Sequence, residues 1–298
     1  MTTFIQLVLS FIRQRAESHS RRYWVNFAQL VDYIAWYANK NKIKPKIKPK
    51  IKLTELTKDA LVNLNKYGFC VIPDFIPLDL CHDLKQRIDL NINIHPELIH
   101  PSTPYDLRLH GIENVDKSFK FFSEYHWVNE IASLYLKESA KSAFTLAARL
   151  NTTPENIGSG GGWHRDSDFR QVKAMLYLTN VSEKNGYFQL LTQSHKFLNK
   201  ITDNSVASQP YRSVRWTDLL IDKLLNATGH ERIKNFTASA GTLIIFDSST
   251  IHRGSPILEG KRYAITNYYY AERLINHSVY AHFHPVAGYN EFGLRIEI

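Results

Sequence analysis

The residues best suited to carry chemistry are His164 and Asp166, within Gly158-Ser-Gly-Gly-Gly-Trp-His-Arg-Asp166. They stand two positions apart, so on an extended backbone both side chains leave the same face. One imidazole and one carboxylate presented together make two adjacent corners of a metal coordination sphere. The third corner is offered by His252, in Gly241-Thr-Leu-Ile-Ile-Phe-Asp-Ser-Ser-Thr-Ile-His-Arg-Gly-Ser255, just beyond a strongly apolar strand. Two histidines and a carboxylate on one side of an octahedron leave three positions open. That geometry suits non-haem Fe(II), which needs room for a bidentate co-substrate and O2. His-x-Asp alone is a weak signal, because such pairs arise by chance.

These residues need a frame that brings positions 164 and 252 together. After residue 142 the chain reads as strand after strand, at 143–150, 172–181, 186–191, 236–247 and 262–270, with Gly and Asn clusters between them. Before it come helix-like stretches at 54–66, 77–90 and around 127–139, with a short apolar strand at 68–73. Helices followed by short antiparallel strands predict a mainly β fold with helical support, α+β in class, built on a sandwich or barrel. Residues 55–298 are expected to form one domain, 55–142 as helical support and 143–298 as the β core.

The wider pattern resembles the phytanoyl-CoA dioxygenase family of Fe(II)/2-oxoglutarate-dependent oxygenases. The resemblance runs in order through Tyr67-Gly-Phe-Cys-Val-Ile-Pro-Asp-Phe-Ile76, Trp163-His-Arg-Asp166, Ala174-Met-Leu-Tyr-Leu-Thr179, Asn185-Gly186 with Gln193-Ser-His-Lys196, Gly241–Ser255, and Lys261-Arg-Tyr-Ala-Ile-Thr-Asn-Tyr-Tyr-Tyr270. It implies a double-stranded β-helix core, the cupin-like jelly roll. It implies that His164, Asp166 and His252 hold iron, and that Arg262 binds the distal carboxylate of 2-oxoglutarate, with O2 as the other co-substrate. A guanidinium suits that role because its planar fork binds a carboxylate bidentately and keeps its charge. The activity implied is oxidative decarboxylation of 2-oxoglutarate coupled to hydroxylation of a C–H bond in a small-molecule, lipid-like or carrier-bound substrate. The alternatives are another oxidation on the same fold, such as desaturation or cyclisation, or a non-catalytic β-barrel binding protein.

Softer candidates surround these. Ser255 or Thr266 is expected to give 2-oxoglutarate a second hydrogen bond, Thr266 by sharing a strand face with Arg262. Arg149 and Asn151, ending the strand before the Gly-rich loop, are candidates for contact with 2-oxoglutarate or substrate. Trp163 either walls the pocket or fills core, and His195 reads as structural. His277, His282 and His284 read as solvated loop histidines. The iron halogenases of this fold need a small residue where this chain has Asp166. Nucleic-acid demethylases of related fold carry a second arginine where this chain has Tyr268, so no nucleic-acid partner is expected.

The net charge of +9 is local. Residues 1–54 carry eleven Lys and Arg against Glu17 and Asp32, leaving the body neutral. Two cysteines, Cys70 and Cys81, cannot supply a disulfide framework, and a cytoplasmic setting is expected. The apolar run at 3–12 is too short to cross a membrane. Residues 23–37 read as an amphipathic helix, expected to pack through Phe27, Leu30, Ile34 and Trp36 or else to touch a membrane peripherally. The Ile-Lys-Pro-Lys repeat at 42–52 reads as an extended tether. Residues 196–236, with Arg212, Arg215 and Trp216, form an insertion where substrate lids lie.

Overall fold

The computed structural model describes residues 21–40, 53–96, 99, 105–153 and 156–275. The apolar run at 3–12, the Ile-Lys-Pro-Lys repeat and His277, His282 and His284 lie outside the described residues. Two antiparallel sheets face one another. The larger is ordered β1 (Phe69–Ile72), β7 (Leu243–Asp247), β4 (Val172–Tyr177), β9 (Lys261–Ala271), β3 (Ala140–Asn151), β2 (Asp106–His110). The smaller is ordered β6 (Ile233–Phe236), β5 (Phe188–Leu191), β8 (His252–Gly254). The region 55–142 therefore supplies both edge strands of the large sheet, and is more than helical support. The expected strand at 236–247 is two strands, divided at Ser239-Ala-Gly241, where Gly241 takes a φ of +86°.

Alternation along the central strands explains why they are apolar on both faces. From β4, Val172, Ala174 and Leu176 join the outer core, while Met175 and Tyr177 turn inward. From β9, Tyr263, Ile265 and Tyr269 face outward and Ala264 faces inward. The outer face is covered by α2 (Glu55–Tyr67), α3 (Leu78–Ile94) and α4 (His126–Leu136), through Leu64, Leu84, Ile88 and Ile131. Thr54 caps α2 by accepting from the Thr57 amide, and Gly68 ends it in the left-handed region at φ +93°. Inside, Phe188, Phe236 and Phe246 fill one end of the space between the sheets. Phe188 and Phe246 also line the cavity described below.

The segment 196–236 contains two helices, α5 (Phe197–Val206) and α6 (Asp218–Thr228), packed with Trp163 and Trp216 in a separate small core. The helix at Arg21–Lys40, α1, packs on this side of the molecule. Its contact face overlaps the expected one only in part: Trp36 makes contact as expected, Phe27 and Ile34 are exposed, and Tyr33 and Tyr37 join Trp36 instead. Tyr33 stacks on Phe197 and Tyr211, while Trp36 and Tyr37 meet Phe169 at ring-centroid distances of 5.1 and 5.2 Å. Arg212 lies over the Trp36 ring at 4.0 Å. Large rings with polar tips bury more area and still satisfy their polar atoms, so they outcompete the aliphatic face. Among the described residues no helix is long and apolar enough to cross a membrane.

Two expectations follow. Tyr33→Ala should cost about 3 kcal/mol in denaturant unfolding, as for other buried aromatic truncations, with Phe27→Ala under about 1 kcal/mol. The second concerns Glu113, whose two oxygens accept from the Thr145 amide at a β3 irregularity. Burial pushes its carboxyl up to about 7, against the lowering pull of its hydrogen bonds. The folded state then holds the extra proton, so stability declines as pH rises from the ordinary value near 4.5 to about 7 and levels above it. Glu113→Gln should remove that decline, shifting the wild-type-minus-variant unfolding free energy by up to about 3 kcal/mol across the window.

Candidate active site

Residues 163–166 form a short extended stretch held on both sides. The His164 amide donates to the His252 carbonyl at 2.9 Å, and the His252 amide donates back to the His164 carbonyl at 2.8 Å. On the other side the Arg165 amide donates to Val214 and the Trp216 amide to Trp163. His164 and His252 are thus a directly opposed cross-strand pair, with ring centroids 4.3 Å apart. The turn before His252 is fixed by the buried Asp247, whose carboxylate accepts from the Ser249 amide at 2.8 Å and the Tyr135 hydroxyl at 2.7 Å. The Asp166 amide donates to Ser248 in that same turn. Arg165, between the two candidate ligands, points away and donates to the carbonyls of Ser194 and Ser249.

The tautomers follow from the backbone. His164 Nδ1 lies 2.8 Å from the Gly162 carbonyl, and His252 Nδ1 lies 2.9 Å from the Thr250 carbonyl. A carbonyl can only accept, so each Nδ1 carries the proton and each Nε2 keeps a lone pair. Those Nε2 atoms lie 3.6 Å (His164) and 3.9 Å (His252) from Asp166 oxygens, and the three ligand atoms fall within 4.8 Å of one another. Burial pushes the His252 imidazole down to about 3, reinforced by His164, which keeps it neutral and able to bind a metal. Burial raises the Asp166 carboxyl, but Lys173 and the two histidines together hold it well below the usual carboxylate range. Two imidazoles that turn Nε2 to one point and an anionic carboxylate are a donor set that fits a divalent transition metal.

The cavity beside the triad is lined by Arg108, Ser159, Lys173, Arg262, Thr266 and Tyr268, among others. Arg262 is buried, and one of its terminal nitrogens donates to the Gly186 carbonyl. Its Nε has no partner, and no carboxylate of the described residues lies within ion-pair distance of it. The Ser255 Oγ is likewise buried and unpartnered, and the Ser255 amide donates to Tyr187, next to Gly186. Ser255 is not among the residues lining this cavity, but a buried guanidinium on its wall with no carboxylate partner fits a carboxylate guest.

The structure brings His164, Asp166 and His252 together and puts Arg262 and Thr266 on the wall of the same cavity. It does not bring Arg149 or Asn151 there. Arg149 lies on the helix side of β3 and pairs with Asp89 of α3 at 2.6 Å. Asn151 falls on the same side by alternation. The inward positions of β3 are instead Leu146, Ala148 and Leu150. Trp163 fills core under α6, donating to Asp218 at 3.0 Å. His195 contacts the Asn65 carbonyl, away from the triad.

Two cavity residues escape the sequence reading. Lys173 sets its Nζ 2.6 Å from Asp166 Oδ2 and 4.2 Å from the centre of the Tyr268 ring. Arg108 is clamped by Asp106 and donates to Ser159 Oγ at 2.9 Å. The signal for Lys173 is its position: a lysine one residue inside an apolar strand, on the face of Met175 and Tyr177. The Gly-rich loop allows close backbone approach. Gly160 takes φ +86°, and a Cβ there would stand 2.4 Å from the His164 ring. Arg215, from the insertion, closes over the loop by donating to the Gly160 and Gly161 carbonyls.

The family model for phytanoyl-CoA dioxygenase matches residues 64–262, two thirds of the chain and every residue of the triad. The chain belongs to the phytanoyl-CoA dioxygenase family. Its fold is similar to that of EctD from S. alaskensis (TM-score 0.56, 16% identity, 77% of this chain and 84% of that one). It is similar also to HygX from Streptomyces hygroscopicus, solved with nickel, 2-oxoglutarate and hygromycin B (0.53, 15%, 74% and 88%). A third is the epimerase SnoN from nogalamycin biosynthesis, in complex with Fe3+, alpha ketoglutarate and nogalamycin RO (0.55, 11%, 72% and 83%). At these identities the likeness is one of fold. A comparison with curated protein sequences finds no match. Membership of this family makes the chain an iron- and 2-oxoglutarate-dependent oxygenase.

Gly160→Ala should turn the His164 ring away from its position. The expected result is at least about tenfold weaker Ni(II) or Co(II) binding in anaerobic titration, comparable to loss of an outer-shell partner. Gly162→Ala, where a Cβ meets nothing within 4 Å, serves as the comparison for backbone strain.

Proposed function

We propose that this oxygenase is a hydroxylase of small-molecule substrates, with His164, Asp166 and His252 as its metal ligands and Arg262 as its 2-oxoglutarate anchor. The observation that carries the assignment is the convergence of two imidazole Nε2 lone pairs and a carboxylate beside a buried guanidinium with no carboxylate partner. Iron with 2-oxoglutarate and O2 supplies the oxidising power, giving succinate and CO2 as one substrate C–H bond is oxidised.

The chain's own residues supply placement. The backbone bridge between His164 and His252 and the two Nδ1–carbonyl contacts set the imidazoles before any metal arrives, which lowers the cost of organising the site. Lys173 holds one oxygen of Asp166, so the other is the freer to coordinate. Arg262 receives the distal carboxylate of 2-oxoglutarate, with Ser255 Oγ and Thr266 as candidate second donors. Phe188, Phe246 and Met175 exclude water from the inner wall.

The direct test is 2-oxoglutarate-dependent succinate formation with Fe(II), run separately on amino acids, acyl thioesters and membrane extracts, with product analysis to separate hydroxylation from desaturation or cyclisation. Ala substitution at His164, Asp166 or His252 should abolish turnover, and full activity in Asp166→Ala would overturn the ligand set. Arg262→Leu should weaken 2-oxoglutarate binding by about 2–5 kcal/mol, the range for a buried carboxylate that loses its charged partner. Arg262→Lys should recover only part of that loss. Wild-type dependence on 2-oxoglutarate in both variants would place the anchor elsewhere.

A further inference from the structure

The two oxygens of Asp166 have different neighbours. Oδ1 lies 3.6 Å from His164 Nε2, whereas Oδ2 lies 2.6 Å from Lys173 Nζ and 3.9 Å from His252 Nε2. Lys173 has little freedom to give up its contact. It sits on the central strand β4, and register sets it opposite Phe246 of β7 on one side and Tyr268 of β9 on the other. Its ammonium lies 4.2 Å from the centre of the Tyr268 ring, which is itself stacked on Phe144 at 4.7 Å. The residue is buried, and Asp166 is the one carboxylate among the described residues within ion-pair distance of it. Breaking the pair would strand a buried charge, which is strongly destabilising.

Two cations on one carboxylate repel each other, and the repulsion is least when each takes its own oxygen. With the ammonium fixed on Oδ2, a divalent metal on the triad is left Oδ1. A carboxylate can meet a metal through one oxygen or through both. Through one, the triad fills three corners of an octahedron and leaves three, enough for a bidentate 2-oxoglutarate and O2. Through both, it leaves two, and 2-oxoglutarate alone would fill them. The ammonium also draws on the carboxylate charge that the metal needs. In this it differs from a partner that orients an imidazole, whose loss weakens metal binding.

We propose that Lys173 is a positioning residue that limits Asp166 to coordination through one oxygen, keeping a position open for O2 while lowering the site's affinity for the metal itself. This role rests on the oxygenase reading above.

The test combines a crystal structure of the full-length protein with Ni(II) and 2-oxoglutarate and anaerobic titrations of wild type, Lys173→Met and Lys173→Arg. In the wild-type structure one Asp166 oxygen should lie on the metal and the other on Lys173 Nζ. Lys173→Met keeps the length of the side chain and removes its charge, so Ni(II) alone should bind at least about threefold more tightly. Nitric oxide serves as the stand-in for O2, read by the electron paramagnetic resonance of the Fe(II) protein at saturating 2-oxoglutarate. It should bind Lys173→Met at least about tenfold more weakly than wild type, because a second Asp166 oxygen then fills its position. Lys173→Arg should recover part of the nitric oxide binding. The two effects run in opposite directions, whereas loss of a merely structural residue would weaken both. Both Asp166 oxygens on the metal in the wild type would overturn the proposal, as would a Lys173→Met variant that binds Ni(II) and nitric oxide like wild type or binds both more weakly. Circular dichroism checks that the variants fold, and the wild-type crystal structure decides the coordination if they do not. Failure of the wild type to bind Ni(II) and 2-oxoglutarate would overturn the oxygenase reading instead.

Discussion

The site depends on a pair of backbone hydrogen bonds between His164 and His252, residues far apart in sequence that face each other as a cross-strand pair. Opposed residues in an antiparallel pair project to the same side with their Cβ atoms about 5 Å apart. Two imidazoles so placed need only tautomer control to aim both Nε2 atoms at one point, and the Gly162 and Thr250 carbonyls provide it. Asp166 reaches the same point because period-two alternation returns it to the face of His164. The rest of the jelly roll serves to bring these two short stretches into register. Asp247 shapes the turn before His252, and β8 binds that turn to the small sheet through Phe188–Gly254 and Leu190–His252 pairing.

How much of this is legible without coordinates depends on what each residue's role requires. The meeting of His164, Asp166 and His252, with Arg262 on the wall of the same cavity, is legible because few residue types suit a metal or a carboxylate guest. The helical layer and the central strands are legible because both faces of those strands are packed, which leaves continuous apolar runs. Arg149 shows the limit. It sits one residue from Ala148, and parity alone decides whether it faces the cavity or α3, yet parity is known only once β3 is in register with β9. Lys173 shows the converse, a charged residue within an apolar run that acquires meaning only when Asp166 and Tyr268 are found beside it. The contact face of α1, read correctly at Trp36, is otherwise missed for a different reason. Hydrophobic pattern weighs Ile34 and Phe27 above Tyr33, whereas packing favours the larger ring whose hydroxyl reaches Asp168 at 3.4 Å.

Family resemblance and physical reading converge on the metal and co-substrate and part company beyond them. The family match ends at residue 262, inside the central strand β9. At the other end it begins at residue 64, after α1 has ended. The matched stretch therefore contains His164, Asp166, His252 and Arg262, and it stops within β9, whose remaining length still pairs with β3 and β4.

The aromatic stack of α1 on Phe169 has a consequence for local stability. Phe169 is three residues beyond Asp166, so α1 and the ligand-bearing stretch share one set of contacts. Elements that share contacts in this way open together, as a cooperative unit less stable than the whole fold. Removing α1 would strip the ring contacts of Phe169, three residues beyond Asp166, and leave the backbone bridge between His164 and His252 in place.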